Sequence, residues 1–150
     1  MYDNWIGIER IKKEFNHIKN EAVLYLIEGD ISTINNDYKH FWVWFKGSKG
    51  TPYAHDIYYF DITLKDDYPS SKPLVTFMTK IFHPNIELNS GKVCLYYINH
   101  YSQYNTLSEL ILIIYNLLAS PNFEHKLNPL RKKKIMKKLL RNIIINMRIN

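Results

Sequence analysis

Residues 79–105 read TKIFHPNIELNSGKVCLYYINHYSQYN. The stretch keeps neither a helical nor a strand period, and it is nearly twice as long as the roughly 12–15 residues beyond which connections in compact domains are usually functional or disordered. Composition argues against disorder, because Ile81, Phe82, Ile86, Val93, Leu95, Tyr96, Tyr97, Ile98, Tyr101 and Tyr104 bring more apolar surface than a solvated linker carries. The expectation is an irregular segment packed onto a core. Near its middle, after the turn Ser90-Gly91-Lys92, stands Cys94, the single cysteine of the chain. A lone cysteine serves either as a small inert core residue or as a nucleophile, and a long packed segment without a period favours the second.

Working outward, Trp5, Ile8, Ile11, Phe15 and Ile18 stand three and four apart and predict a helix over 5–18, capped by Asp3 or Asn4. Glu9 with Lys13 and Arg10 with Glu14 form i,i+4 pairs on its wet face, and Gly7 is its weak point. Four β-type runs follow, at 23–28, 41–45, 57–64 and 74–78. Gly47 to Pro52 and Asp66 to Pro69 punctuate them, and such short polar links predict a four-stranded antiparallel meander. Beyond the irregular segment, Leu107, Leu110, Ile111, Ile114, Leu117 and Leu118 predict a helix opened by the capping box Thr106-Leu107-Ser108-Glu109 and stopped at Pro121. A last amphipathic helix is expected between Pro129 and about Met147. Helix, sheet, then helices reads as α+β.

The 150 residues, 46% hydrophobic and 23% charged, suit one domain over 1–150. No run of eighteen uncharged apolar residues occurs, and charges are scattered through the first twenty, so neither a membrane span nor a secretory leader is expected. One cysteine excludes an internal disulfide framework and a Cys-rich zinc site, which points to a reducing intracellular setting, cytoplasm and/or nucleus. The formal charge is +6, but nine basic residues and no acid lie from Lys126 onward, against 11 basic and 14 acidic groups before it. The main body therefore offers no general basic surface, and no nucleic-acid partner is expected. The basic tail reads as the wet face of the last helix, the alternative being a surface for an anionic partner or membrane.

His83-Pro84-Asn85-Ile86, a Gly-containing turn, then Val93-Cys94-Leu95 resembles the active-site signature of ubiquitin-conjugating enzymes. Gly47 to Tyr53, Tyr68-Pro69 with Pro73, and Ser120-Pro121-Asn122 with Leu127 extend the resemblance over roughly residues 5 to 140. It implies the ubiquitin-conjugating fold. It also implies that Cys94 accepts the carboxyl end of ubiquitin, or of a relative, as a thioester from an activating enzyme and passes it to a substrate lysine or a ligase. A thiol suits the task because it is nucleophilic near neutral pH and its thioester stores the activation. By the same resemblance Asn85 either stabilises the oxyanion of aminolysis or holds the loop through side-chain bonds to backbone. His83 and Pro84 belong to the active-site turn, and no metal or organic cofactor is expected, ATP being used by the activating enzyme.

Departures from the family pattern qualify the site. The interval from Asn85 to Cys94 is one residue longer than usual, and that from Cys94 to Thr106 one shorter. His125 stands where an acidic or serine gate is frequent, with Glu124 as a substitute after a small shift. His55-Asp56 replaces a frequent Gly pair. Ligase and activating-enzyme contacts are expected at Glu9, Arg10 and Lys13, at Ser70 where an aromatic is frequent, and at Tyr101, Ser102, Gln103 and Tyr104. The protein is expected to be a monomer. Two alternatives stand beside catalysis with ubiquitin: a non-catalytic variant that acts as a binding scaffold, and a conjugating enzyme for a ubiquitin-like modifier such as NEDD8.

Overall fold

A computed structural model describes residues 7–20, 22–93, 95, 102 and 105–121. Helix α1 runs Ile8–Asn20, and the Gly7 carbonyl accepts its first bond, from the Ile11 N–H at 2.9 Å. Gly7 is thus at the cap, where its conformational freedom costs little, and not inside the helix. Ile11 and Ile18 are fully buried, while Phe15 is partly buried against Phe41 with ring centroids 5.6 Å apart. The caps proposed at Asp3 or Asn4, and Trp5, lie outside the described residues.

The run 23–28, expected as a strand, is helical: α2 spans Ala22–Leu26. Val23 and Ile27 are buried and Tyr25 and Leu26 exposed, which is the i,i+4 spacing of a helix and not the alternation of a strand. The Gly29 N–H reaches the Leu24 carbonyl at 3.0 Å and the Glu28 N–H the Tyr25 carbonyl at 3.1 Å, with Glu28 left-handed at φ 49. That pair of bonds closes a helix C-terminus. A run of six apolar and polar residues is too short for periodicity to separate the two states.

The sheet has five strands, not four, in the order β1-β2-β3-β4-β5, each pair antiparallel. They are β1 Asp30–Ile34, β2 Asp37–Lys46, β3 Ile57–Thr63, β4 Leu74–Phe77 and β5 Lys92–Val93. The meander topology agrees with the sequence reading. Strand β1 joins β2 through Asn35 and Asn36, both at positive φ (54 and 58), the two-residue turn whose twist matches a hairpin. Alternate residues Phe41, Val43 and Phe45 of β2 and Tyr58, Phe60 and Ile62 of β3 face inward and are buried. Phe60 stacks on Phe77 at 5.4 Å and meets Phe45 edge-on at 5.6 Å. Each such buried aromatic removes enough apolar surface to contribute about 1.5–3 kcal/mol.

Helix α3, Leu107–Ala119, begins with the expected capping box: the Glu109 N–H donates to Thr106 Oγ1 at 3.2 Å, and the Thr106 N–H to Glu109 Oε2 at 3.1 Å. Its stripe of Leu107, Leu110, Ile111, Ile114, Leu117 and Leu118 is buried, and Tyr115 meets Phe45 of the sheet at 5.2 Å. The helix expected after Pro129, with the basic tail, lies outside the described residues. Among the described residues no helix is long and apolar enough to cross a membrane.

Candidate active site

The chain leaves β4 with the Met78 N–H on the Tyr59 carbonyl at 2.8 Å and the Tyr59 N–H on Thr79 Oγ1 at 2.9 Å. Ile81 is buried, and the Tyr53 hydroxyl donates to the Phe82 carbonyl at 2.6 Å. Burial, with Tyr58 nearby, pushes the Tyr53 phenol above its ordinary pKa, so it keeps the proton that this bond needs. His83 follows, 0% exposed, its ring 5.9 Å from that of Tyr53.

The two ring nitrogens of His83 have different partners. Nε2 lies 2.8 Å from the Leu117 carbonyl of α3, while the backbone N–H of Asn85 points at Nδ1 from 3.0 Å. A carbonyl only accepts and a backbone N–H only donates, which assigns the hydrogen to Nε2 and leaves Nδ1 as acceptor. Burial depresses the His83 pKa to about 4 against the opposing pull of the Leu117 carbonyl. His83 is therefore a neutral strut that ties the turn to α3. With Nδ1 occupied and the ring sealed from solvent, it is poorly placed to act as a base.

Pro84 and Asn85 are buried, Asn85 with 5% exposure, and the Ile86 N–H returns to the His83 carbonyl at 3.3 Å. Ile86 then bridges Val93, and Val93 pairs with Val75 of β4. The Glu87 N–H bonds the Lys92 carbonyl at 3.0 Å, and the Gly91 carbonyl accepts from the Phe77 N–H at 2.7 Å. Gly91 has φ 75, and a Cβ there would fall on the Phe77 carbonyl oxygen. Strand β5 is too short to leave a periodic signal; its pairing with β4 and the Phe77 bond to Gly91 hold it there, and the missing Cβ of Gly91 permits the approach. The turn and the strand that leads to Cys94 are thus one hydrogen-bonded unit, Asn85 adjoining Ile86 and Cys94 adjoining Val93 in the chain.

Cys94 itself, the gate candidates Glu124 and His125, and Tyr101, Gln103 and Tyr104 lie outside the described residues. Val93 and Leu95, on either side of Cys94, are 2% and 4% exposed. Ser70 and Ser102 are exposed, as are Glu9 and Lys13. Arg10 differs from them: its Nε donates to Glu14 at 2.9 Å and its Nη2 to the Asn105 carbonyl at 3.2 Å, with the guanidinium 5.6 Å over the Tyr68 ring. Glu14 and Tyr68, which the sequence offers only as a helix-face partner of Arg10 and as part of a Tyr-Pro match, become functional candidates together with Asn105 because the fold brings them to one cluster. His55 and Asp56 occupy the frequent Gly pair without positive φ; the turn uses bonds from Ala54 to Thr51 and Asp56 to Tyr53, and Gly50 alone there is left-handed. Among the described residues no group of three or more His, Cys, Asp or Glu side chains is arranged to hold a metal ion.

Comparison with protein families matches residues 10–142 to the model described as ubiquitin-conjugating enzyme. The chain belongs to the ubiquitin-conjugating enzyme family. It is 35% identical over 131 residues to the ubiquitin-conjugating enzyme E2-24 kDa of Saccharomyces cerevisiae, covering 81% of this chain and 59% of that protein. It is 32% identical over 113 residues to ubiquitin-conjugating enzyme E2 1 of Schizosaccharomyces pombe, covering 75% of this chain and 51% of the relative. The chain thus spans between half and three fifths of the length of these two relatives. Among solved structures it is similar to the E2 domain of a Toxoplasma gondii ubiquitin conjugating enzyme, with TM-score 0.75, 27% identity and 92% of each chain covered. In this member of the ubiquitin-conjugating family, the His83-Pro84-Asn85 turn is bonded to α3 and, through Ile86, to Val93 at the end of β5.

Proposed function

We propose that this member of the ubiquitin-conjugating family carries ubiquitin or a ubiquitin-like protein as a thioester on Cys94. In the loading step the Cys94 thiolate attacks the modifier's terminal carbonyl, held as a thioester on an activating enzyme, and the activating enzyme's thiol leaves. In the second step a lysine amine attacks the same carbonyl, its excess proton is lost to solvent or a nearby base, and the Cys94 thiolate departs. A thiolate is a good leaving group toward an amine, so the energy of the thioester drives the amide bond. Asn85 either donates its amide N–H to the oxyanion or holds the turn that positions the carbonyl.

The observation that supports this reading is the His83 strut. A buried neutral imidazole, bonded at both nitrogens, holds the Asn85 backbone against α3, and the Ile86 bridge to Val93 joins the turn to the approach to Cys94. Rigid support of this kind is what an acyl-transfer site needs. The reading places the activity in the cytoplasm or nucleus, with an activating enzyme, a ligase and a substrate lysine as partners.

The test incubates the full chain with ubiquitin-activating enzyme, ATP and ubiquitin, and in parallel with ubiquitin-like proteins and their own activating enzymes. An adduct cleaved by thiol reductant is expected on the wild type and absent from Cys94→Ala. A wild type that no modifier charges overturns the proposal.

A further inference from the structure

We infer that Glu14 is a positioning residue, clamped by Arg10, that sets the partner-facing segments of this protein relative to one another; the inference rests on the function proposed above. In sequence, Arg10 and Glu14 are an ordinary i,i+4 pair on a wet helix face. In the structure the Glu14 side chain is only 12% exposed, and its two oxygens serve three segments. Oε1 accepts from Arg10 Nε at 2.9 Å; Oε2 accepts from the Tyr68 hydroxyl at 3.0 Å and from the Leu107 N–H at 3.3 Å. One carboxylate thereby joins α1, the Tyr68-Pro69 turn and the first residue of α3.

The Leu107 N–H is one of the donors that a helix start leaves without an intrahelical partner, and a carboxylate there is also favoured by the helix dipole. The capping box covers Thr106 and Glu109; Glu14 covers Leu107 from a different element. Arg10 extends the clamp by donating to the Asn105 carbonyl. Asn105 in turn accepts the Ser102 N–H at 2.5 Å through Oδ1 and donates to Glu109 at 2.7 Å through Nδ2. The chain of bonds thus runs from α1 to Ser102, in the loop that closes the active-site segment.

The segments so joined carry Glu9 and Lys13, Ser70, and Ser102, all exposed and all in positions where the proposed function puts an activating enzyme or ligase. Glu14 lies beneath that surface. A partner that bridges α1 and the loop needs their spacing held, and a buried hydrogen-bonded carboxylate fixes spacing where an apolar side chain of similar volume would supply stability without register.

The experiment measures charging by ubiquitin-activating enzyme, ATP and ubiquitin, or by whichever modifier charges the wild type, as a function of full-chain concentration. Glu14→Ala is expected to raise KM about tenfold with kcat within about twofold, and Glu14→Gln, which keeps an acceptor oxygen, to recover part of the loss. Single-turnover discharge to free lysine, which needs no protein partner, is expected to stay unchanged. If Glu14→Ala fails to fold, Glu14→Gln and Tyr68→Phe, which removes the hydroxyl that donates to Glu14, are measured in its place, with KM again expected to rise. An unchanged KM, or charging and free-lysine discharge slowed by the same factor, overturns the clamp. A wild type that no modifier charges overturns the proposed chemistry instead. Amide exchange at Leu107 and Asn105 then decides the clamp, which requires faster exchange in Glu14→Ala and is overturned by exchange at the wild-type rate.

Discussion

Replacing His83 by glutamine keeps a donor directed at the Leu117 carbonyl and removes the ring that titrates. In the folded protein burial holds the His83 pKa near 4, and protonation would also turn Nδ1 from an acceptor of the Asn85 N–H into a second donor facing it. In the unfolded chain the same ring titrates near its ordinary value of about 6.5. Between these values the unfolded state binds more protons. Stability from His83 is therefore complete above about pH 6.5 and is lost as the pH falls toward 4. At about 1.4 kcal/mol per unit, the wild type loses about 2 kcal/mol from this group between about pH 8 and pH 5. The Gln variant starts lower, because the Asn85 N–H loses its acceptor, at about 1–3 kcal/mol. Its other titrating groups are those of the wild type, so the unfolding free energy of the wild type minus that of the variant must fall by about 2 kcal/mol on acidification, reversing sign where it starts near about 1 kcal/mol. Urea unfolding of both proteins across this pH range, followed by tryptophan fluorescence, measures it. A difference constant to within about 0.5 kcal/mol would mean that His83 titrates normally, and would refute the neutral buried strut.

Gly91→Ala forces a side chain into a left-handed position and onto the Phe77 carbonyl; stability is expected to fall by about 2 kcal/mol or more in urea, and charging of Cys94 to slow as β5 is displaced from β4. Thr106→Ala removes one half of the capping box of α3 and is expected to cost about 1 kcal/mol in the same assay, without change in the pH dependence that His83 imposes.

Features set by near neighbours in the chain are legible in the residues alone. The capping box at Thr106 and Glu109 needs groups three residues apart and the α3 stripe needs a period of 3.6, and both are present as read; the run 57–64 becomes β3 with alternate residues buried. The His83-Pro84-Asn85 turn with a later cysteine was equally readable as a signature, and the meander followed from short polar links. Val23 to Glu28 is too short to display the period of α2, whose end is set by the left-handed Glu28 rather than by a glycine at that position. Strand β1 leaves little signal in the sequence, since Asp30 to Ile34 carries only one fully inward apolar residue, Ile31.

What the tertiary structure alone decided are the pairings across long stretches of chain. His83 meets the Leu117 carbonyl 34 residues away, and Glu14 meets the Leu107 N–H 93 residues away. No local pattern encodes such partners. A histidine in a turn and a glutamate on a helix look solvated until the fold removes their water, and the cost of leaving them unpaired then selects the bonds they make. The residue types that permit the chemistry are therefore written in the chain, whereas the protonation of His83 and the burial of Glu14 exist only once sheet and helices have closed around them.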